Sequence, residues 1–372
     1  MASVSNGLIV GGGIAGLSAA IALEQVGVHV DVLELNAAFG AVGAGIGIAG
    51  RAPNALADLG VYDEVAAQGE IGLAAPDLYD TAGMLVSAPP PPPPIGDAPE
   101  PIGAFRPALA ASLVRRAREV GATLATGVTI EGLVDTGDAV EVTLGTGERR
   151  TYDFVIGADG AYSTVRGLIF PDAPLPAYAG QMSVRWLTDG PALSPEGWYV
   201  QGERGRMAFY WQPYPEKIYV PFVLNMPRAR LSQQEAYELL RDVMSEYTAP
   251  AIVELRSRLK PDDEIIPRPF DWILLEKWSR GRILLIGDAA HATTAHMGQG
   301  GAMALEDGVV LAQEIASAAT LEEAYESFFT RRWDRVRTVV ETSVALSRRE
   351  QENLPADGRL MSDAVRRLAE PY

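Results

Sequence analysis

The chain has 372 residues, of which 48% are hydrophobic, enough to bury a large core and to form two domains. Its 31 basic and 48 acidic residues give a formal charge of −17, which argues against nucleic acid or an anionic membrane surface as a partner. No cysteine and only three histidines are present, so disulfides, thiolate nucleophiles and cysteine-ligated metals are excluded and no metal site is expected. The first residues show no secretory signal, and no apolar run approaches the length of a membrane span, which predicts a cytoplasmic protein.

The first predicted unit is GLIVGGGIAGLSAAIALEQVGVHVDVLEL, residues 7–35, which reads as strand, tight turn, helix and second strand. Gly11, Gly13 and Gly16 form the spacing G-x-G-x-x-G. The first two glycines allow a tight turn and close approach of a pyrophosphate, and the third lets the helix pack on the strand. Glu34 ends the second strand, where an acid can accept hydrogen bonds from a ribose and would repel a ribose phosphate. The unit predicts a site for FAD or NAD rather than NADP, the alternative being a glycine-rich turn in an unrelated α/β fold.

The next segments are a spacer, a helix and a second strand–turn–helix unit. Six successive prolines at 89–94 cannot enter a helix or a central strand, and they predict an extended polyproline II spacer, with a partner-binding segment as the alternative. Residues 105–122 predict an amphipathic helix with Pro107 near its first turn. Residues 152–168 repeat the N-terminal pattern of apolar strand, polar turn and helix.

The sequence pattern changes between residues 177 and 275. Aromatic and β-branched residues alternate over 206–224, interrupted by the turn QPYPEK, and they predict an antiparallel sheet with one helix, 232–246, between its strands. RILLIGDAAH then returns to a buried strand and turn, followed by helices over 301–316 and 321–350. The predicted fold class is α/β: a Rossmann-like dinucleotide-binding domain interrupted by a mainly antiparallel sheet domain, with helices at the C-terminus.

Three glycine-rich strand–turn–helix segments, 9–17, 155–166 and 284–301, therefore occur in one chain. Asp159 and Asp288 follow the second and third of these strands. Three strand ends that converge on one sheet edge predict a long ligand lying across that edge, and FAD fits the length. The predicted domains are a discontinuous FAD-binding domain of residues 1–75, 102–176 and 276–372, and a substrate-binding sheet domain of residues 76–101 and 177–275.

Taken together, the motifs resemble those of the flavin-dependent aromatic hydroxylases, the single-component FAD-dependent monooxygenases that include salicylate, 4-hydroxybenzoate, 3-hydroxybenzoate and urate hydroxylases. GGGIAG with Glu34, DFVIGADGAYSTVR and RILLIGDAAHATTAHMGQGGAMALED carry the resemblance, which covers essentially the whole chain and is thin in the sheet-rich insertion. It implies that Asp159 and Arg166 lie near the flavin pyrophosphate and a visiting nicotinamide, that Asp288 binds the ribityl chain, and that Arg106 contacts FAD. The positions implied to bind FAD are Gly11, Gly13, Ile14, Ala15, Gly16, Glu34, Leu35, Arg51, Arg106, Val128, Asp159, Gly160, Arg166, Asp288, Gly298, Gly300, Gly301 and Ala302.

The segment GDAAHATTAHMGQGG, residues 287–301, holds two of the histidines but no serine or cysteine nucleophile. Its last glycines begin a helix whose positive end would stabilise an anionic reduced flavin, and they let the backbone approach the ring. We interpret His291 as a structural hydrogen-bonding residue. His296 follows Ala295, where the family usually has proline, and it is a candidate partner or base for a substrate hydroxyl, the alternative being an exposed loop histidine. Arg51 replaces part of the family's Pro-Asn pair and is a candidate contact to the flavin or its phosphates.

The resemblance implies a two-stage reaction. NADH or NADPH reduces the flavin, and O₂ then gives a hydroperoxide at flavin carbon 4a that attacks an electron-rich ring carbon. Arginines within apolar strands indicate a small aromatic or heteroaromatic substrate that is anionic. Alternatives of the same fold are a halogenase, disfavoured because W-x-W-x-I-P is absent, a dehydrogenase or a Baeyer–Villiger-type oxygenase; a non-catalytic FAD-binding protein is a further one. A monomer or a homodimer is expected. The candidate substrate contacts are Tyr210, Tyr219, Phe222, Trp211, Arg185 and Arg206, with His296.

Overall fold

The computed structural model describes most of the chain in full. The proline run 89–94, most of the turn predicted at 212–217 and the side chain of Trp211 lie outside the described part. The described residues are 4–40, 45–72, 77–88, 95–96, 98–191, 193, 197–212, 216–354 and 357–372.

Helices and strands alternate through the first part of the chain, and long helices end it. The helices of the described residues are α1 Ile14–Gln25, α2 Ala52–Asp58, α3 Tyr62–Gln68, α4 Arg106–Val120, α5 Thr164–Ile169, α6 Gln233–Met244, α7 Pro250–Ser257, α8 Asp288–His291, α9 Gly300–Ser317, α10 Leu321–Gln351 and α11 Gly358–Ala369. The strands are β1 Asn6–Val10, β2 His29–Glu34, β3 Gly45–Ile48, β4 Glu70–Ile71, β5 Leu78–Tyr79, β6 Leu85–Ser87, β7 Ile102–Phe105, β8 Thr123–Thr126, β9 Ile130–Asp135, β10 Val140–Leu144, β11 Arg149–Tyr152, β12 Phe154–Gly157, β13 Ala177–Thr188, β14 Trp198–Gln201, β15 Gly205–Gln212, β16 Lys217–Asn225, β17 Ile265–Trp272, β18 Ser279–Arg280 and β19 Ile283–Leu285.

A six-stranded sheet of order β18-β19-β12-β1-β2-β8 forms the centre of the first layer. β1 pairs in parallel with β12 and β2, and β12 pairs in parallel with β19, so the three strands before the glycine-rich turns are neighbours. Apart from Asn6 at the start of β1, their residues are apolar or glycine and are buried because helices cover the sheet, as is usual for parallel strands. The predicted βαβ unit and the return of the chain to this sheet through β12 and β19 are confirmed.

The second large sheet has seven strands in the order β17-β13-β16-β15-β14-β5-β6, and it is antiparallel except where β14 meets β5. Because successive side chains of a strand point to opposite sides, the sheet has two different faces. One buries Val184, Trp186 and Phe209 against α6 and α7, and Phe222 packs on the same side, edge-on to Tyr247. The antiparallel sheet is confirmed, but the candidate Phe222 is corrected to a core residue because it lies on the helix-packed face.

Two helices and two small sheets are among the parts of the fold that were not foreseen from sequence. A second helix, α7, follows α6 under the large sheet, and α11 follows α10 near the C-terminus. Two small sheets, β11-β10-β9 and β3-β7-β4, lie outside the two large ones. Within the described part of the chain, no helix has both the length and the apolar character needed to cross a bilayer.

We expect a methyl group at Gly308 to destabilise the protein, because α9 crosses α1 there at very short range. A Cβ on Gly308 would lie 2.5 Å from the backbone nitrogen of Ala19, so the two helices would have to separate. Gly308→Ala should lower the free energy of unfolding by about 1–3 kcal/mol, measured by urea denaturation. Gly167→Ala is the matched control: that glycine is also helical, but its Cβ would meet nothing within 4 Å, so its stability should hold or rise. Equal stability of the two variants would contradict the close crossing.

Candidate active site

The N-terminal glycine turn has the shape of a pyrophosphate cradle. Gly11 has a φ of +111°, and a Cβ there would lie 2.3 Å from the carbonyl oxygen of Ala158. A Cβ on Gly16 would lie 1.9 Å from the carbonyl oxygen of Gly11, which shows how closely α1 packs on the turn. At Gly13, which directly precedes α1, a Cβ would meet nothing within 4 Å. The positive end of α1 therefore opens onto free space beside a glycine, which fits an anionic ligand.

Glu34 is fixed beside this turn. One carboxylate oxygen accepts a hydrogen bond from the backbone N–H of Gly12 at 2.9 Å, and the other accepts from the N–H of Asn36 at 2.8 Å. Leu35 is 67% exposed, and the N–H of Val128 donates to the carbonyl of Glu34, so both border the same edge. The carboxylate of Glu34 has lone pairs left to accept hydrogen bonds from a ribose, but within the protein it holds the turn in place.

In the second turn, the charged side chains of Asp159 and Arg166 form hydrogen bonds with the protein backbone. The carboxylate of Asp159 accepts hydrogen bonds from the N–H groups of Thr164 and Val165 and so caps α5. Arg166 is 3% exposed and donates to the carbonyls of Ala161 and Ala289 at 2.7 and 2.9 Å. Direct contact between Arg166 and a visiting nicotinamide does not fit this burial. Arg166 would affect nicotinamide binding only indirectly, by positioning the two loops that it joins. Gly160, with a φ of +83°, stands in the open part of this turn.

The third turn is held by a buried ionic network. His291 Nε2 lies 2.8 Å from Oδ2 of Asp307, which also accepts from the N–H of Gly287 at 2.9 Å. Arg332 donates to the other oxygen of Asp307 at 2.8 Å and to Glu306 at 2.6 Å. Burial alone would raise the pKa of Asp307, but His291 and Arg332 together lower it to about 2. His291 thus makes the structural hydrogen bond that the sequence predicted.

Arg106 and Asp288 face one another across the open end of the three turns. Arg106 begins α4, and its Nε is buried with no hydrogen-bond partner in the described chain. Burial and the neighbouring Arg185 lower the pKa of Arg106, and Asp288 acts against them. Asp288 is open to solvent although protein surrounds it, and this enclosure raises its pKa. A buried donor without a partner and an enclosed but accessible acid fit a polar ligand such as the ribityl-phosphate part of FAD.

The start of α9 is lined by small residues. Gly298 has a φ of +65° and open space beside it, and a Cβ on Gly301 would lie 2.6 Å from Ile46. Ala302 is fully buried behind them. Ile14 lies 3.9 Å from the same Gly301 Cβ position, and Ala15 packs beside Gly287. Open space therefore lies beside Gly298, just before α9, whereas Gly301 is packed against Ile46, and the contact of these glycines with FAD stays a prediction.

Arg51 has a partner in the C-terminal helix. Its Nε donates to the carbonyl of Ala369 at 2.8 Å, which ties the start of α2 to the end of α11. The C-terminal residues also accept from Arg335, through the carbonyls of Glu370 and Leu368. Arg51 thus anchors the C-terminal helix through its Nε, a contact that the sequence did not reveal, and its contact with the flavin stays a prediction.

The second face of the seven-stranded sheet carries four of the predicted substrate residues. Arg185 on β13, Tyr219 on β16, and Arg206 and Tyr210 on β15 all lie on the face opposite to α6 and α7. The Tyr210 ring lies 6.4 Å from that of Tyr219 and 6.0 Å from that of Tyr199, which the sequence analysis missed. This face is turned toward Arg106, which interacts with both Arg185 and Tyr219.

The two arginines on this face differ in their partners. Arg185 donates to the hydroxyl of Ser183 at 3.1 Å, and no carboxylate of the described chain lies within ion-pair distance of it. Arg206 lies 3.7 Å from the carboxylate of Glu350 and stacks over the ring of Tyr199 at 5.0 Å. Arg185 is thus the uncompensated cation, whereas the charge of Arg206 is already paired.

His296 is neither an exposed loop residue nor an open base. Its side chain is 2% exposed, and its Nε2 lies 3.2 Å from Oε2 of Glu350. Its Nδ1 lies 2.9 Å from the hydroxyl of Thr294, and its ring packs edge-on against Phe270. The proposed contact with a substrate hydroxyl is corrected because both ring nitrogens face protein atoms. Glu350 was not foreseen, since nothing in a long amphipathic helix marks one acid as buried.

Comparison with known proteins agrees with the geometry. A family model described as FAD binding domain matches residues 5–343, a span that contains all three glycine-rich turns. The putative FAD-dependent monooxygenase YetM of Bacillus subtilis is 26% identical over 368 residues, covering 98% of this chain and 99% of the relative. The FAD-dependent urate hydroxylase of Klebsiella oxytoca is 30% identical over 348 residues, 90% of this chain and 87% of the relative. The solved structure of Klebsiella pneumoniae HpxO complexed with FAD and uric acid has a TM-score of 0.81 and 26% identity, covering 99% of this chain and 93% of that one.

We expect Gly13→Ala to weaken FAD binding without unfolding the protein. A Cβ at this position meets no protein atom within 4 Å, so stability should change by less than about 1 kcal/mol. It would enter the space beside the start of α1, and the Kd for FAD should rise at least tenfold, about 1.4 kcal/mol. Titration of apoprotein with FAD, followed by flavin fluorescence, measures this. An unchanged Kd would place the pyrophosphate elsewhere.

We expect Asp307 to contribute stability that acid removes. The pKa of Asp307 in the folded protein is about 2, below the ordinary 3.8. Its contribution to the free energy of unfolding is therefore complete above pH 3.8 and is lost as the pH falls toward 2. The amount is about 2 kcal/mol. The difference in unfolding free energy between the wild-type protein and Asp307→Asn should shrink by this amount between pH 4 and pH 2, measured by urea denaturation. If the difference in unfolding free energy stayed constant between pH 4 and pH 2, the network would not be lowering the pKa of Asp307.

Proposed function

The chain belongs to the FAD-binding domain family, and we propose that this FAD-dependent monooxygenase hydroxylates a small anionic aromatic or heteroaromatic compound, with NADH or NADPH as reductant. The observation that carries the proposal is Arg185, a cation without an acidic partner in the described chain, beside the phenols of Tyr210 and Tyr219 on the face turned toward the FAD site. A ring with a carboxylate, or a urate-like anion, matches such a surface.

The cofactor would lie along the edge at which the three turns meet. The Gly11–Gly16 turn would hold the pyrophosphate and Glu34 the ribose, with Arg106 and Asp288 beside the ribityl chain. The N-terminus of α9, from Gly300, would face the ring. When bound, FAD supplies the acceptance of hydride from the nicotinamide and the activation of O₂.

Arg185 and Tyr219 would orient the substrate. Burial raises the pKa of Tyr219 although Arg185 and Arg106 act to lower it, so the phenol is neutral and can donate a hydrogen bond at neutral pH. Burial and the neighbouring Tyr199 raise the pKa of Tyr210 well above its usual value, so this phenol is neutral as well. Two neutral donors and one cation favour an electron-rich anionic ring, and the aromatic side chains keep water from it.

The proposal includes the division of the chain into an FAD-binding unit of residues 1–75, 102–176 and 276–372 and a sheet unit of residues 76–101 and 177–275. β5 and β6 pair in the seven-stranded sheet, whereas β7, which begins at Ile102, pairs with β3 and β4, and this supports the boundary at 101 and 102. A monomer or a homodimer in the cytoplasm is the proposed form.

Substrate screening tests the function. Phenolic acids, N-heteroaromatic acids and purines are added to the FAD-loaded protein, and NADH or NADPH oxidation is followed with H₂O₂ measured alongside. A hydroxylase should oxidise the nicotinamide faster with its substrate and yield a product that is heavier by one oxygen with an intact ring. A Baeyer–Villiger-type enzyme would insert oxygen into the ring system, a dehydrogenase would add none, and a non-catalytic FAD-binding protein would show no stimulation.

Arg185→Met should raise the KM for the anionic substrate at least tenfold, about 1.4 kcal/mol, because the carboxylate loses its cation. A neutral analogue of the same ring should lose much less. Arg241→Met is the control, since this exposed arginine lies on α6, behind the sheet. An unchanged KM for Arg185→Met would show that the anionic group of the substrate does not bind at Arg185.

A further inference from the structure

Glu350 lies where three distant parts of the chain meet. It belongs to the last turn of α10, and its carboxylate is 9% exposed. Oε2 is 3.2 Å from Nε2 of His296, in the loop before α9, and 3.7 Å from Nη2 of Arg206, on β15. One buried carboxylate therefore joins the loop on the FAD side to the face of the sheet that carries Arg185, Tyr210 and Tyr219.

The fold fixes the helix end that carries Glu350 independently of Arg206. On the same end of α10, the hydroxyl of Ser347 donates to Oε1 of Gln181 at 2.6 Å, and the side-chain amide of Gln351 donates to the carbonyl of Ala179 at 2.8 Å. Both acceptors lie on β13, so the helix end is docked on the sheet at two points. The backbone of Glu350 therefore does not depend on Arg206 for its position, and His296 lies beside the carboxylate as a second neighbour.

The group of three side chains is neutral in total. Burial lowers the pKa of His296 more than the neighbouring Glu350 raises it, so the imidazole is uncharged at neutral pH. Burial would raise the pKa of Glu350, but Arg206 and His296 lower it, so the carboxylate is ionised. Burial would lower the pKa of Arg206, yet Glu350 keeps it raised. One positive and one negative charge remain and compensate each other.

The two arginines of the sheet therefore lie at two different ends of the proposed substrate site. Arg185 on β13 and Arg206 on β15 are separated by β16, about 10 Å across the strands of one face, and they are offset along it because they pair with Pro221 and Val223. This distance and the length of the arginine side chains suit an aromatic ring with two substituents. A carboxylate approaching Arg185 meets a free cation, whereas one approaching Arg206 also meets Glu350 and is repelled in a poorly solvated site.

We propose that Glu350 is a specificity-determining residue that acts through Arg206: by compensating Arg206 it makes this end of the site accept an uncharged substituent and directs the anionic group of the substrate to Arg185. The inference rests on the proposed function, because it concerns the same site. It implies that a substrate with a single acidic group binds in one orientation, and that a ring with two carboxylates is rejected.

Binding of two probes to the FAD-loaded protein tests this. Benzoate carries one carboxylate and isophthalate carries two, and the Kd of each is measured from the change in flavin absorption on titration. Glu350→Gln removes the charge and keeps the shape, so the affinity for isophthalate should rise at least tenfold relative to benzoate. Arg206→Gln leaves the carboxylate uncompensated and should lower the affinity for isophthalate at least fivefold relative to benzoate. The double variant should return the ratio of the two affinities toward that of the wild-type protein.

Glu341→Gln is the matched control, because this exposed glutamate lies on the same helix and should leave both affinities unchanged. An unchanged ratio in folded, FAD-containing Glu350→Gln, or equal weakening of both probes, would overturn the inference and leave Glu350 a structural residue. If Glu350→Gln does not fold, Arg206→Gln alone decides, and an unchanged ratio there overturns it equally. Failure of the wild-type protein to bind benzoate would instead count against the anionic substrate at Arg185, which is the proposed function.

Discussion

The site depends on the convergence of three parallel strands, β1, β12 and β19, on one edge of the first sheet. Because these strands are neighbours, the glycine-rich turns that follow them open on the same side. Only the first turn has the full shape of a phosphate cradle, with a close contact at Gly11 and free space at Gly13. The other two are held by their own acids, Asp159 through the cap of α5 and Asp307 through Gly287. The edge is therefore preorganised by interactions within the protein.

Charge is distributed unevenly between structural and binding roles. The chain has a formal charge of −17, yet the positions that face the open site include Arg106 and Arg185, neither of which has a carboxylate within ion-pair distance in the described chain. Elsewhere, the buried Arg332 is paired with two acids, and the buried Arg166 donates to backbone carbonyls. An acidic protein can hold an anionic cofactor, and the anionic substrate proposed above, because these two arginines are not neutralised by a nearby acid. The role proposed for Glu350 follows the same principle, since it compensates Arg206 and leaves Arg185 as the free arginine of the sheet.

Much of the fold followed from periodicity and glycine spacing. The βαβ unit, the antiparallel insertion and the long helices have strong patterns because their residues alternate between core and solvent. The sequence could not show which face of the large sheet meets the FAD-binding unit, so Phe222 was placed on the wrong side. It could not show that Arg166, Arg51 and His296 have partners far away in the chain, since those partners are backbone carbonyls or a single helix residue. Glu350 escaped notice for the same reason: its role comes from the docking of α10 on β13.

The most direct test of the account is the FAD content of the purified, folded protein, measured by flavin absorption against protein concentration. The account predicts one FAD per chain, bound without a covalent link, and released FAD that rebinds in the same ratio. A folded protein that remains colourless and takes up no added FAD would contradict the convergence of the three turns on one cofactor.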